Sequence, residues 1–392
     1  MMKKVFSTIL ISFFALSLFG CTNPSSSVES TTTTTTSSSS TSDVIKVGVF
    51  EPITGAYAAG GQAEKNGIEL ANKLNPTVLG KTVQLVIADN KSDKVEAAVA
   101  ASKLVEQDKV TAILGSWSSS LCMAAGDIVK NAKTPAIAAS ATNPLVTEGN
   151  DYYFRVCFID SFQGTVMANY AYNELGARNI AILESISSDY SVGLADFFKQ
   201  QFTKLGGTIV DTQSYNTGDT DFSAQLQNMK SKNPDAIFAP GDYTESAMAI
   251  KQARDLGIQT QFLGGDTYEI PAFLEVGGSA VEGVVFSSFF DPSNPLNEEA
   301  KKFVDEYQKA YGEAPPSDAA NGYDAYLVLL DAITRAGSTD PVMVRDAIAA
   351  TNGFVGATGV TTLNATGDAV KDAVLKVVKD GEFVFKGVAK AE

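Results

Sequence analysis

The chain has 392 residues, 45 of them acidic and 30 basic, for a formal charge of −15. Hydrophobic residues make up 44% and charged residues 19%, ordinary values for a folded body of about two domains. That acidity argues against nucleic-acid binding, and the absence of histidine excludes Ser-His-Asp and Cys-His nucleophiles and every zinc site with a histidine ligand.

Lys3 and Lys4 form a basic head before an apolar run from Val5 to Phe19. The run is short for a lasting membrane span and reads as a signal peptide over residues 1–20. Gly20-Cys21 resembles a bacterial lipobox, which makes Cys21 the expected lipidation site; plain secretion is the alternative. Residues 21–43 are then a Ser/Thr-rich linker that buries nothing, a leash of about 25 Å.

Short apolar runs next alternate with helical patterns. Ile45–Phe50 reads as a strand, Gly61–Leu74 as a helix and Val83–Ala88 as a strand. Lys94–Gln107 reads as a helix with Val95, Ala98, Ala101 and Val105 on one face. Ala112–Leu114 and Pro135–Ala138 bracket a helix near Ser120–Ala132, and Phe162–Leu175 is a further helix. Cys122 falls in a helix and Cys157 in a strand, so neither requires a disulfide, and two thiols are too few for a Cys-only metal site. The alternation restarts at Asn179–Leu183 and continues to Gln261–Leu263. Three helical patterns follow, Glu298–Tyr311, Asn321–Ala336 and Pro341–Ala350, and then short strands near Val360–Leu363, Val374–Val378 and Glu382–Phe385. The expected class is α/β, with two doubly wound parallel-sheet lobes joined by multiple crossovers. Lobe 1 is assigned to 44–160 plus 291–356 and lobe 2 to 161–290 plus 357–392. A (β/α)₈ barrel is the rival, disfavoured by the late cluster of helices.

In open α/β sheets ligands bind beyond the carboxyl ends of the strands. After Ile113-Leu114 comes Gly115-Ser116-Trp117-Ser118-Ser119-Ser120, where hydroxyls and free N–H groups at a helix start suit a carboxylate or serve as an N-cap. After Ile137-Ala138 come Ser140, Ala141 and Thr142, which read equally as ligand groups or as a turn before Pro144. Asp242 follows Ala236–Ala239, and Asp266 follows Gly264-Gly265. Asp160 reads locally as a helix cap, and Tyr190 and Tyr323 as packing residues. Hydroxyls and N–H groups thus gather after first-lobe strands and acids after second-lobe strands, the polarity of a zwitterion.

These residues also carry a family resemblance. Ile45–Phe50 with Thr54-Gly55, Gly61-Gln62-Ala63, Asn66-Gly67, Ala88-Asp89-Asn90, the serine loop, Ser140-Ala141-Thr142, Arg155 through Asp160 to Gln163-Gly164, Gly264-Gly265-Asp266 and Gly322-Tyr323-Asp324 stand in an order that resembles a type I periplasmic binding protein. The chain is similar to the Leu/Ile/Val-binding component of ABC importers. The resemblance implies that Ser119 and the Thr142 N–H hold a ligand carboxylate, with Ser118 beside them. It implies that the Ser140 carbonyl, the Thr142 hydroxyl and Asp266 hold an ammonium group. Trp117, Ala141, Tyr190, Asp242 and Tyr323 would line the side-chain pocket, with Tyr57, Asp160 and Gln163 supporting the cleft. Asp242 and Gly60 depart from the family pattern, in which aromatics are usual at both positions. A polar or cationic ligand therefore stays open beside an aliphatic one.

The expectation is a non-catalytic, membrane-anchored solute-binding lipoprotein, exported and monomeric. It would take an amino acid, use no cofactor and partner an ABC permease. A sensory module of the same fold, a secreted hydrolase using Asp160, Asp242 and Asp266, and a sugar-binding variant are the alternatives.

Overall fold

Apolar runs without polar alternation form strands covered on both faces, as parallel sheets require. The computed structural model describes residues 44–391; the signal peptide, Cys21 and the linker lie outside the described residues. Strands β1 (Val44–Glu51), β2 (Thr77–Val78), β3 (Lys81–Asp89), β4 (Ala112–Leu114), β5 (Ala136–Ala138) and β6 (Tyr153–Arg155) form one sheet in the order β2-β3-β1-β4-β5-β6. All pairs are parallel except β2 with β3. Strands β7 (Asn179–Ser185), β8 (Thr208–Tyr215), β9 (Ala236–Phe238), β10 (Gln261–Gly264) and β11 (Val285–Ser288) form the parallel part of a second sheet. Strands β12 (Phe354–Gly356) and β13 (Gly359–Thr361) make a separate hairpin. Strands β14 (Ala373–Lys379) and β15 (Glu382–Ala389) complete the second sheet, in the order β15-β14-β11-β10-β9-β7-β8.

The parallel strands follow the same order in both sheets, β3-β1-β4-β5-β6 and β8-β7-β9-β10-β11. Winding reverses beside β1 in the first sheet and beside β7 in the second. The loops that leave either side of each reversal part and open a crevice at the strand ends.

The helices are α1 (Ala58–Leu74), α2 (Lys94–Ser102), α3 (Ser119–Ala132), α4 (Asp160–Asn169), α5 (Asp189–Lys204), α6 (Ser223–Ser231), α7 (Tyr243–Asp255), α8 (Pro271–Gly277), α9 (Glu298–Tyr311), α10 (Ser317–Ala336) and α11 (Pro341–Ala349). Although α9, α10 and α11 follow β11 in sequence, Phe303, Tyr323, Leu329 and Val344 share a core with Val47 and Val49 of β1. The chain therefore passes between the sheets after β6, after β11 and again before β14. Two open sheets exclude the barrel. Among the described residues no helix is long and apolar enough to cross a membrane.

Three local expectations need correction. The second sheet is mixed, because β14 and β15 run antiparallel. Asp380 and Gly381 join them with φ of 56° and 75°, the left-handed pair of a two-residue type I′ turn. Helix α2 and the turn after it bury Ala97, Ala100, Ala101 and Leu104, while Val95 is 71% exposed. Either stripe fits the helical period, and the small alanines allow the closer packing against α3. Cys157 follows β6 rather than lying in a strand. It and Cys122 are both buried and free.

Helices α1 and α10 cross at a contact only glycine permits. A Cβ on Gly67 would stand 1.9 Å from the Ala319 carbonyl oxygen, and one on Gly322 would stand 2.3 Å from the Glu64 carbonyl oxygen. Backbone cannot yield as a flexible side chain does. Gly67→Val is therefore expected to destabilise the fold by about 3 kcal/mol or more, read as a lower urea midpoint.

Candidate functional site

The carboxyl ends of β1, β4 and β5 face those of β7, β9 and β10, and direct hydrogen bonds join the two sets of loops. Tyr243 at the start of α7 donates its hydroxyl to the Ala56 carbonyl at 2.9 Å and accepts from the Ala59 N–H at 3.3 Å. The Asn143 amide donates to the Asp189 carbonyl at 2.7 Å. Ser120 and Asp189 exchange two bonds, of 2.8 and 3.0 Å, and Lys94 pairs with Asp189 at 2.8 Å.

The serine loop does more than start a helix. Ser118 is the N-cap residue of α3, yet its side chain makes no cap bond. Ser116 accepts from the Asn90 amide at 3.1 Å, and Ser119 accepts from the Asn143 N–H at 3.1 Å. These bonds hold the loop after β4 against the loops after β3 and β5. Trp117 is buried between Tyr57 and Tyr243, with ring centroids at 5.6 and 5.9 Å. Its indole N–H donates to Asp318 at 3.1 Å and its backbone N–H to Glu51 at 2.9 Å. The indole fills the space a side chain on Gly60 would need: a Cβ there would lie 2.4 Å from the ring.

The loop after β5 is held from behind by Arg155, which has no exposed surface. Its guanidinium donates to the Ala141 carbonyl at 2.7 Å and the Asn143 carbonyl at 2.8 Å, and pairs with Asp368 at 2.7 Å. Ser140 accepts from the Asn321 amide at 3.2 Å. The Thr142 hydroxyl is buried with no partner. Asp160 is not the helix cap its position suggested: Ile159 occupies that place, and both Asp160 carboxyl oxygens are buried without a partner. Burial, then the charge of Asp266, pushes the Asp160 carboxyl well above the usual carboxylate range.

Asp266 is fixed across the gap. Gln163 donates to its Oδ1 at 2.5 Å and the Tyr190 hydroxyl donates to the same oxygen at 2.9 Å. Burial raises Asp266 to about 6 against the lowering effect of these bonds. Gly265 leaves room for this clasp, since a Cβ there would meet the Tyr190 hydroxyl at 2.1 Å. Asp242 is the N-cap residue of α7 but makes no cap bond. Burial and the charge of Glu245 raise it to about 7.

Trp117, Ser140, Thr142, Asp160, Gln163, Tyr190 and Asp266 are thus linked by contacts or by mutual charge at one set of strand ends, with Tyr57 and Asp242 beside them and Ser119 joined to the loop after β5 through Asn143. Tyr323 is not among them. Its hydroxyl donates to Glu299 at 2.7 Å and its ring packs on Phe303. Residues two apart on a helix point about 200° away from each other, so Asn321 takes the Ser140 side and Tyr323 the opposite one.

Three buried acids under the first-lobe loops escaped the sequence reading: Glu51, Glu64 and Asp318. Burial and neighbouring Glu64 push Glu51 well above the carboxylate range. Burial, then the charges of Glu64 and Asp266, raises Asp318 as well. Glu51 carried one usable signal, an acid directly after the apolar run at 47–50. Among the described residues no cluster of side chains is arranged to hold a metal ion.

A profile of the family described as periplasmic binding protein matches residues 44–382. The Leu/Ile/Val-binding protein homolog 2 of Brucella abortus (strain 2308) is 31% identical over 330 residues, 83% of this chain and 87% of that protein. The solved leucine binding protein LivK of Thermotoga maritima MSB8 is 43% identical with a TM-score of 0.86, covering 88% of this chain and 99% of its own. The branched-chain amino acid transporter substrate binding protein LivJ of Streptococcus pneumoniae, solved with isoleucine, is 34% identical with a TM-score of 0.83 over 88% and 99% of the two chains. A solute binding protein of Rhodopseudomonas palustris BisB5, solved with 3,4-dihydroxy benzoic acid, is 28% identical with a TM-score of 0.79 over 89% and 98%.

Proposed function

The chain belongs to the periplasmic binding protein family, and from that membership we propose that it is the extracytoplasmic, non-catalytic receptor of an ABC importer, closing two lobes over one amino acid. One observation supports the amino acid above all. The Thr142 hydroxyl, buried without a partner, and the start of α3, uncapped by Ser118, stand in the loops opposite a fixed carboxyl at Asp266, held by Gln163 and Tyr190. In this reading Ser119 and the Thr142 N–H take the α-carboxylate. The Ser140 carbonyl, the Thr142 hydroxyl and Asp266 take the α-ammonium. Trp117 and Ala141 border the side chain, Ser118 flanks the carboxylate, and Tyr190 orients Asp266. Tyr323 has no part in it.

The lobes are 44–160 with 291–356 and 161–290 with 357–392, and the bonds from Asp189 and Tyr243 fasten the closed form. Cys21 carries the lipid anchor, residues 21–43 tether the monomer to the membrane, and the closed form docks on the permease. The family match at residues 44–382 supports the two-lobe body and its permease partner, and Gly20-Cys21 with the Ser/Thr run supports the anchor.

Trp117 is the only tryptophan in the chain and packs between a tilted Tyr57 ring on one side and an edge-on Tyr243 ring on the other. Titrating the twenty amino acids and dihydroxybenzoate while recording tryptophan emission tests the assignment. A saturable change with at least one amino acid is expected; a response to dihydroxybenzoate alone would refute it. The complex should also be pH-dependent. An ammonium needs Asp266 ionised, and its carboxyl lies at about 6 in the unliganded fold. Protonation then competes with the ligand, so the dissociation constant is expected to rise up to about tenfold per unit as pH falls below that value. Isothermal titration from pH 8 to pH 5 measures it.

A further inference from the structure

The acids of the cleft have no cationic partners. Glu51, Glu64, Asp160, Asp242, Asp266 and Asp318 are all more than nine-tenths buried, and among the described residues none of them forms an ion pair. Arg155 is occupied by the Ala141 and Asn143 carbonyls, Thr147 and Asp368. Glu51, beside Glu64, receives the Trp117 backbone N–H, Asp318 receives the indole N–H, and Asp266 is met by Gln163 and Tyr190. Asp160 lies behind Asp266 with both oxygens unpartnered, and Asp242 meets only the Tyr57 hydroxyl across the gap, leaving the N–H groups of α7 uncapped.

The surroundings of Asp242 point the same way. Glu245, 4% exposed, stands one turn along α7 and accepts the Gly218 N–H at 2.8 Å. The Tyr215 hydroxyl and Ser246 Oγ are buried with no partner. Both crowd Gly241, beside Asp242: a Cβ on that glycine would meet them at 1.9 and 2.9 Å. Two carboxyls and two unpartnered hydroxyls therefore meet with no base among them. A simple zwitterion, with its ammonium at Asp266 and its carboxylate at Ser119, leaves this end unbalanced.

We propose that the ligand carries a second cationic group on its side chain, received by Asp242 with Tyr57 and Tyr215, so that the site takes a basic amino acid of the lysine or ornithine type. The assignment rests on the amino-acid reading above and names its substrate class. Burial of Asp242 without a base is costly, and a ligand cation removes that cost. The preference is then decided by Asp242 and not by Asp266, which every amino acid would use.

Calorimetry at pH 7.5 with lysine, ornithine, norleucine and leucine tests it, norleucine being lysine without the terminal ammonium. Lysine or ornithine is expected to bind at least about 100-fold tighter than norleucine. Asp242→Asn should shrink that ratio below about tenfold, and Asp242→Leu should favour norleucine. Equal or tighter binding of norleucine or leucine by the wild-type protein overturns the basic side chain while the amino-acid reading stands. Silence with every amino acid overturns both. The lysine-to-norleucine comparison needs no variant, so poor folding of either substitution leaves the test intact.

Discussion

Asp266→Asn is expected to abolish most amino-acid affinity while leaving the fold as stable as before or more so. Removing one partner of a buried, hydrogen-bonded charge pair costs about 2–5 kcal/mol, roughly thirty- to several-thousand-fold in dissociation constant. Asparagine keeps the shape and can still accept from Tyr190, so the loss reports the missing charge. Stability should move the other way. Burial raises the Asp266 carboxyl to about 6 in the folded chain, against about 4 for an unfolded one. A group raised by folding stabilises the fold at low pH, and that contribution is lost as pH rises through the folded value. At pH 7.5 the ionised side chain is therefore a burden on the unliganded protein, and asparagine removes it. Thermal melts with and without ligand separate the two effects: the midpoint without ligand holds or rises, and the ligand-induced shift disappears. A variant that melts lower yet keeps its ligand shift would show Asp266 to be structural.

The second large effect is expected at Arg155→Met. Arg155 is buried, pairs with Asp368 and holds the carbonyls of Ala141 and Asn143. Truncating it leaves Asp368, also buried, with an unpaired charge and frees the loop that carries Thr142. Breaking such a pair costs about 3–5 kcal/mol, which lowers the melting midpoint by on the order of 10 °C. Asp368→Leu in the same chain should restore part of the loss, because the penalty lies in the orphaned carboxylate more than in the missing contact. If the double variant is as unstable as the sum of the singles, the pair is not the cause. Ligand affinity should fall with Arg155→Met as well, since the backbone of Ser140 and Thr142 is positioned through the same loop.

The alternation of strand and helix was legible because the inner parallel strands, such as β4, β5, β9 and β10, are buried on both faces and read as apolar runs. The strand ends were legible for the same reason: Gly264-Gly265-Asp266 and the serine loop interrupt those runs abruptly. Helix faces were harder. In α10 buried residues lie on every side, so periodicity cannot say whether Asn321 or Tyr323 looks toward Ser140. Asp318 and Glu64 look like surface charges in a list of letters, and only the crossing of α1 and α10 encloses them. The antiparallel end of the second sheet turned on the Asp380-Gly381 pair, a signal present in the letters but outweighed by the expectation of parallel sheets. The clasp of Gln163 and Tyr190 on Asp266 joins residues far apart in the chain, which spacing alone cannot bring together.

The interlock of Gly60 with Trp117 also bears on how this cleft can evolve. Any side chain added at position 60 collides with the indole, while trimming the indole alone leaves a void that glycine cannot fill. Enlarging position 60 first forces a collision whereas trimming 117 first leaves only a void, so a lineage that reshapes the cleft here passes through a smaller residue at 117 before a larger one at 60. The order of those steps is dictated by sterics, and recombinant libraries that vary the two positions independently will mostly sample dead combinations.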